Sequence, residues 1–299
     1  MKLATLWMGN RTTAAVLSSD ESAYLPLPYT DVGSMVADPI WRLAAEAVIT
    51  GERPDSGAIP SAAVRLAPLL PTAGKVICCG LNYDDHIEEM GRALPEYPTL
   101  FAKFADTLAG AEDTIEVHGS ECVDWEAELA VVVGSLLVRA DEQEAAEAIA
   151  GYTVANDVSM RDWQNRTLQW FQGKAFDATT PLGPVMVTPD EAGGDFEVRG
   201  YVNGELVQAG NTATLVFGPA RLLSYISHFT ALRPGDLVLT GTPGGVGMGM
   251  NPPRFLRDGD VLTTEVAGIG RLENTMRIHS IESASSESAA AMTTTTTKE

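Results

Sequence analysis

Glu126 and Glu128 stand two residues apart in Asp-Trp-Glu-Ala-Glu-Leu-Ala-Val-Val-Val-Gly, and Asp157 follows in Val-Ala-Asn-Asp-Val. In a β-strand, residues i and i+2 project from one face, so two glutamates entering an apolar run would lie side by side. Two like charges placed there repel and lose hydration unless something positive joins them. A hard divalent cation such as magnesium, manganese or calcium answers that need, because it takes oxygen ligands and a third carboxylate would complete one face of an octahedron. Alternating glutamates more commonly mark a solvated face opposite a buried one. The unbroken Leu-Ala-Val-Val-Val after Glu128 instead predicts a strand covered on both sides.

A second constellation lies in Gly80-Leu-Asn-Tyr-Asp-Asp-His-Ile-Glu-Glu-Met-Gly91. With Asp84 or Asp85 capping a short helix, His86 and Glu89 share a face at i and i+3, where the carboxylate orients the imidazole and stabilises its charge. Such a dyad takes a proton from water near neutral pH. The competing reading is an exposed helix with an ordinary polar pair; Glu88 projects to another side. Arg161 and Gln164 follow Asp157 at i+4 and i+7, so a helix starting near Ser159 aims both at whatever the acidic trio holds. Arg161 suits a carboxylate and Gln164 a carbonyl or enolate oxygen. Lys174, in Gln-Gly-Lys-Ala-Phe-Asp, is suited to stabilising negative charge on oxygen. Taken singly, each is an ordinary surface or salt-bridge residue. The Gly-rich Thr240-Gly-Thr-Pro-Gly-Gly-Val-Gly-Met-Gly lacks the Gly-Lys-Ser/Thr ending of a phosphate loop and opens no evident helix. It reads as backbone approaching a ligand closely, with Thr242 offering a hydroxyl or amide to a carboxylate.

The elements that must position these groups are short and mostly extended. Strand-like runs cover Lys2 to Met8, Thr12 to Leu17, Lys75 to Cys79, Glu128 to Val133, Tyr152 to Asn156, Val185 to Thr188, Glu197 to Val202, Leu237 to Thr240, Val261 to Val266 and Arg271 to Ile278. Helices are predicted over Asp38 to Thr50, Asp141 to Ile149 and Pro219 to Phe229. Asn203-Gly204 signals a two-residue hairpin. Many strands and few long helices imply a β-rich α+β core. Residues 1–72, ending in Leu-Ala-Pro-Leu-Leu-Pro, read as a small N-terminal α+β domain, 73–280 as the catalytic domain, and the Ser-, Ala- and Thr-rich 281–299 as a disordered tail.

At 299 residues and 45% hydrophobic content the chain can bury a substantial core. A net charge of −20 argues against nucleic acid or an anionic membrane as partner, since both need a basic face. No apolar stretch is long enough to span a bilayer and the start lacks a signal-peptide pattern, so a cytoplasmic protein is expected. Three cysteines, Cys78, Cys79 and Cys122, are too few and too poorly spaced for a disulfide framework or a zinc cluster.

These blocks together resemble the fumarylacetoacetate hydrolase family: Gly80-Leu-Asn-Tyr-Asp-Asp-His86, Glu126-Ala-Glu128, Asn156-Asp157, Arg161-Asp-Trp-Gln164, Gly173-Lys174, Val202-Asn-Gly-Glu and Leu239-Thr-Gly-Thr242-Pro, in family order over about residues 73–278. The resemblance implies a mixed β-sandwich or β-roll, generally assembled as a homodimer. It implies magnesium or manganese, with calcium an alternative, on Glu126, Glu128 and Asp157. It assigns water activation to His86 and Glu89 on a segment that closes over substrate, and ligand contacts to Lys174, Gln164, Thr242 and Arg161. The implied reaction is hydrolysis of a carbon–carbon bond in a 2,4-dioxo acid of the acylpyruvate or fumarylpyruvate type, leaving an enolate stabilised by the cation and Lys174. The alternative on the same site is oxaloacetate decarboxylation, or isomerisation or hydration of a keto acid. A non-catalytic metal-stabilised binding protein is a further alternative, disfavoured because His86, Glu89 and Lys174 are all retained. Two departures, Leu81 where some members carry arginine and Phe104 where many carry proline, imply an altered pocket near the closing segment. Trp163, Trp170 and Phe171 are either packing residues or the wall of an apolar acyl pocket.

Overall fold

Ala127–Val133 is buried along its whole length, which is what an apolar run without polar alternation demands. Its odd-numbered residues Leu129, Val131 and Val133 face one way; Glu128, Ala130 and Val132 face the other, in line with Glu126. The computed structural model describes residues 1–51, 57–84 and 94–279. The tail read from 281–299 lies outside the described residues.

Two mixed sheets carry the site. The larger is ordered β4 (Ile59–Pro60), β3 (Ala23–Pro26), β2 (Arg11–Leu17), β1 (Lys2–Met8), β13 (Thr180–Val187), β11 (Ile149–Asn156), β10 (Ala127–Val133), β16 (Leu237–Leu239), β5 (Val76–Gly80) and β6 (Thr99–Lys103), with β7 (Leu108–Ala109) also on β13. The smaller is ordered β15 (Glu205–Asn211), β14 (Glu197–Val202), β17 (Val261–Val266), β18 (Gly270–His279) and β8 (Ile115–His118). A two-stranded ribbon pairs β9 (Val123–Asp124) with β12 (Ser159–Met160). The fold is α+β and β-dominated.

The sheets pack face to face over Leu129, Val154, Val187, Val198, Val266 and Leu272. Behind the larger sheet, Val32–Val36 and Trp41–Ile49 cover one region, burying Met35, Val36 and Trp41 against Val132 and Met186. On the opposite face, the one that carries Leu129, the helix Pro219–Ser227 buries Leu222, Leu223 and Ile226 against Val131 and Val133. The helix expected from Asp38 begins at Trp41, because Asp38 and Pro39 form a turn in which the Asp38 carboxylate accepts the Ile40 amide at 3.1 Å. Asn203 and Gly204, both at positive φ, turn the β14–β15 hairpin as expected.

The N-terminal strands continue the larger sheet. β1 pairs antiparallel with β13, Leu3 opposite Met186, and Leu3 and Val16 enter the same core as Val132 and Leu182. Strands β3, β6 and β8 had no clear sequence signal.

Candidate active site and metal centre

Strand register assembles the acidic trio. β10 and β11 run antiparallel with Ala127 opposite Asn156, so Glu126, just before one strand, falls beside Asp157, just after the other. The Asp157 amide donates to the Glu126 carbonyl at 2.9 Å. Asn156 locks the corner: its Oδ1 accepts the Glu126 amide at 3.0 Å and its Nδ2 donates to Thr264 Oγ1 at 2.9 Å. Carboxylate oxygens of Glu126, Glu128 and Asp157 lie within 4.8 Å of one another, and all three residues are buried.

Three cations face them. Lys174 Nζ lies 2.7 Å from Glu126 Oε2 and 2.9 Å from Asp157 Oδ2. Lys103, buried at the end of β6, bonds the other Asp157 oxygen. Arg161 reaches Glu126 Oε1 and Asp124 Oδ2, each at 2.8 Å, and donates to Gln164 Oε1 at 2.8 Å. Burial opposes ionisation of Asp157, but Lys103 and Lys174 outweigh it and hold the carboxyl below its ordinary range. Burial likewise disfavours the Lys174 ammonium, and Asp157 and Glu126 overcome it, so its pKa is raised. Glu128 is pushed the opposite way, well above the ordinary carboxylate range, first by burial and then by repulsion from Asp157 and Glu126. With Glu128 ionised, Asp124, Glu126, Glu128 and Asp157 against Lys103, Lys174 and Arg161 leave one negative charge in excess, which the raised Glu128 pKa lets a proton neutralise until a metal ion takes its place. A convergent set of carboxylate oxygens with a deficit of positive charge fits a hard divalent ion.

The Gly-rich loop closes against this centre. Gly241, at φ +98, donates its amide to Glu128 Oε2 at 2.7 Å, and a Cβ there would stand 2.9 Å from the Cys79 carbonyl oxygen. The close backbone approach read from the sequence is therefore made to Glu128. Thr242 donates its hydroxyl to the Ala127 carbonyl at 2.9 Å and accepts from Gln208 Nε2 at 2.8 Å, while still lining the site. Asp124 gathers the loop's far end: it accepts from Gly247 N at 2.7 Å and Met248 N at 2.9 Å, besides its own neighbour Trp125 N at 2.8 Å.

Glu126, Arg161, Gln164, Lys174 and Thr242 line one cavity of about 130 Å³. Its apolar wall includes Phe101 and Trp170, packed edge to face at 5.7 Å. Trp163 packs instead against Phe176 and donates its indole N–H to the Gly119 carbonyl at 2.8 Å, and Phe171 packs against Phe104. Of the three aromatics considered for an acyl pocket, only Trp170 borders the cavity.

Arg161 and Gln164 sit on the short helix Arg161–Gln164, as their spacing from Asp157 predicts, and Lys174 ends the helix Phe171–Lys174. These helices touch at Gly173, where a Cβ would lie 2.5 Å from Gln164 Cβ and from the Met160 carbonyl oxygen. His86 and Glu89 lie outside the described residues. Sequence reasoning missed Lys103 and Asp124: the first ends an unrecognised strand, and the second is set by Arg161 and by two amides more than a hundred residues away.

Comparison with known proteins agrees with this architecture. Residues 75–277 match the family model described as Fumarylacetoacetate (FAA) hydrolase C-terminal. The mitochondrial oxaloacetate tautomerase fahd2 of Xenopus laevis is 44% identical over 214 residues, 70% of this chain and 67% of that protein. Among solved structures, fumarylacetoacetate hydrolase from psychrophilic Exiguobacterium antarcticum superposes with a TM-score of 0.79 at 34% identity, covering 93% of this chain and 100% of that one. The 5-carboxymethyl-2-hydroxymuconate delta-isomerase from Mycobacterium smegmatis gives 0.76 at 33% identity, covering 94% and 100%. The chain belongs to the fumarylacetoacetate hydrolase family. No helix among the described residues is long and apolar enough to cross a membrane.

Proposed function

We propose that this protein is a divalent-metal-dependent enzyme that interconverts the keto and enol forms of a short 2-oxo dicarboxylic acid of the oxaloacetate class. The carrying observation is the Lys174 ammonium, lodged between Glu126 and Asp157 on the wall of the small cavity. A buried cation fixed before substrate arrives stabilises an enolate oxygen without reorganisation, and that charge is what tautomerisation must develop. Tautomerisation falls within the keto-acid isomerisation expected as an alternative, and the names of the tautomerase and isomerase relatives support it over carbon–carbon hydrolysis.

Glu126, Glu128 and Asp157 would hold magnesium or manganese, which when bound would supply Lewis acidity to stabilise the enolate. Arg161, steadied by Asp124, presents guanidinium N–H groups to a substrate carboxylate, and Gln164 beside it fixes that end of the ligand. Lys174 donates to the developing enolate oxygen. His86 and Glu89 are assigned the carbon-bound proton, which leaves C3 as the enol forms and returns as it collapses. Phe101 and Trp170 form the apolar part of the cavity wall and limit water there. The homodimer implied by the resemblance belongs to the same proposal.

Retention of His86 and Glu89 in the sequence favours one second reading, cleavage of an acylpyruvate by a water activated at the same dyad. The test is to chelate the purified protein, restore magnesium or manganese, and follow the ultraviolet absorbance of oxaloacetate enol alongside consumption of acetylpyruvate and fumarylpyruvate. Metal-dependent acceleration of enol decay without loss of oxaloacetate supports tautomerisation. Cleavage of an acylpyruvate with no effect on enol decay overturns it in favour of hydrolysis.

A further inference from the structure

Two of the chain's four histidines, His118 and His279, meet at the ends of adjacent strands. β8 and β18 run parallel in a register that sets His118 directly opposite His279. Their imidazoles are stacked, centroids 4.0 Å apart and planes 7° from parallel. Glu116 joins them because the pleat of β8 buries Ile115 and Val117 and so turns Glu116 and His118 outward together. Glu116 Oε1 lies 2.7 Å from His279 Nε2 and 3.5 Å from His118 Nε2. One ligand atom from each of the three residues falls within 4.8 Å of the others.

We propose that Glu116, His118 and His279 form a second metal site, for a borderline divalent ion of the zinc or copper class. Two imidazole nitrogens and one carboxylate oxygen match the donor preference of those ions, whereas the all-oxygen trio in the active site matches magnesium and manganese. The backbone is fixed before binding, both strands being pinned from beneath by the fully buried Ile115, Val117 and Met276, while the stacked imidazoles turn about their side-chain torsions to aim both Nε2 lone pairs at one ion. Arg277, opposite Glu116 in register, lies 3.7 Å from Asp258, which gives its charge a partner other than Glu116. The chain's net charge of −20 raises the local concentration of cations. Three protein ligands leave a fourth position for water or an added ligand. Bound there, an ion ties the end of β18 to β8, the outermost strand of its sheet.

Zinc chloride titrated into the chelator-treated full chain by calorimetry tests this, with His118→Ala/His279→Ala as comparison. The double variant should take up about one equivalent of zinc fewer per chain, lose the zinc-dependent part of the rise in Tm, and retain wild-type magnesium-dependent turnover. Equal zinc uptake by both proteins would show that all of it enters the acidic trio and would overturn the proposal. Should the double variant fold poorly, copper(II) added to wild type supplies an independent reading: nitrogen splitting from two imidazoles in the electron paramagnetic resonance spectrum supports the site. An oxygen-only copper spectrum overturns it.

Discussion

Replacing Lys174 with methionine keeps most of the side-chain volume and deletes its charge, which isolates the electrostatic role of this residue. Lys174 is fully buried, and its ammonium bonds Glu126 at 2.7 Å and Asp157 at 2.9 Å. Breaking a buried ion pair by removing one partner costs about 3–5 kcal/mol. Two hydrogen bonds to charged groups, at about 1.5–3 kcal/mol each, give an overlapping range of about 3–6 kcal/mol by a separate route. Glu126 keeps Arg161 and Asp157 keeps Lys103, which places the expected loss near the lower end, about 3 kcal/mol. That is a large share of the roughly 5–15 kcal/mol that holds a domain folded. Urea unfolding of metal-free protein should show the whole deficit, and saturating magnesium should shrink it, because a divalent ion among the same carboxylates replaces the missing positive charge. Turnover should not recover in parallel: the ion restores charge but not the N–H aimed at the enolate oxygen, so kcat should remain about 10²–10³-fold down. A metal-free K174M protein with the wild-type urea midpoint, or a magnesium-loaded one with wild-type kcat, would refute the reasoning.

Three other perturbations probe different parts of the site. Asp124→Asn removes the ion pair that steadies Arg161, so KM for a dicarboxylate should rise about tenfold, equivalent to about 1.4 kcal/mol, with kcat moving less; an unchanged KM would remove Arg161 from carboxylate binding. Gly173→Ala drives a methyl into Gln164 and the Met160 carbonyl, and should cost about 1–3 kcal/mol in thermal unfolding while displacing Lys174; a variant as stable and active as wild type would contradict the close approach. Because Glu128 titrates well above 4.5, the ordinary value, a divalent ion entering the trio must displace its proton, so apparent metal affinity should rise with pH through that interval. The folded metal-free protein also holds this proton where the unfolded chain has lost it, so its stability should fall as pH rises over the same interval. Calorimetry in buffers of different ionisation enthalpy reads the released proton directly, and finding none would contradict the raised Glu128 value.

The parts of the site legible in the sequence were those whose signal is local. Glu126 and Glu128 announced themselves by strand parity and by the apolar run behind them, and both are indeed buried. Arg161 and Gln164 announced themselves by helical spacing. Asp157 was legible as a carboxylate, although only the Ala127–Asn156 register explains why it meets Glu126. Lys103 was hidden because Thr-Leu-Phe-Ala-Lys carries no clean alternation, and its value comes from an Asp157 partner 54 residues on. Asp124 was hidden for a related reason: a carboxylate that organises distant amides looks like any other acidic residue until the chain has folded. The same holds for Glu116, whose histidine partner on β18 is 163 residues away. Fold class was legible because strand propensity and turn residues are local, whereas the order of strands in each sheet depends on pairings between segments far apart in sequence.

The pairing of β1 with β13 bears on how this protein can be shortened. A truncation that starts near residue 73 would look conservative beside a family match beginning at 75, yet it would strip β1 from Met186 and Val187 and bare their unpaired backbone. It would also uncover Val132, Leu182 and Met186, which now pack with Leu3, Met35 and Trp41. An open apolar strand margin of that kind would be a template for other chains, so the shortened protein should aggregate where the full chain does not, as light scattering of the two would show.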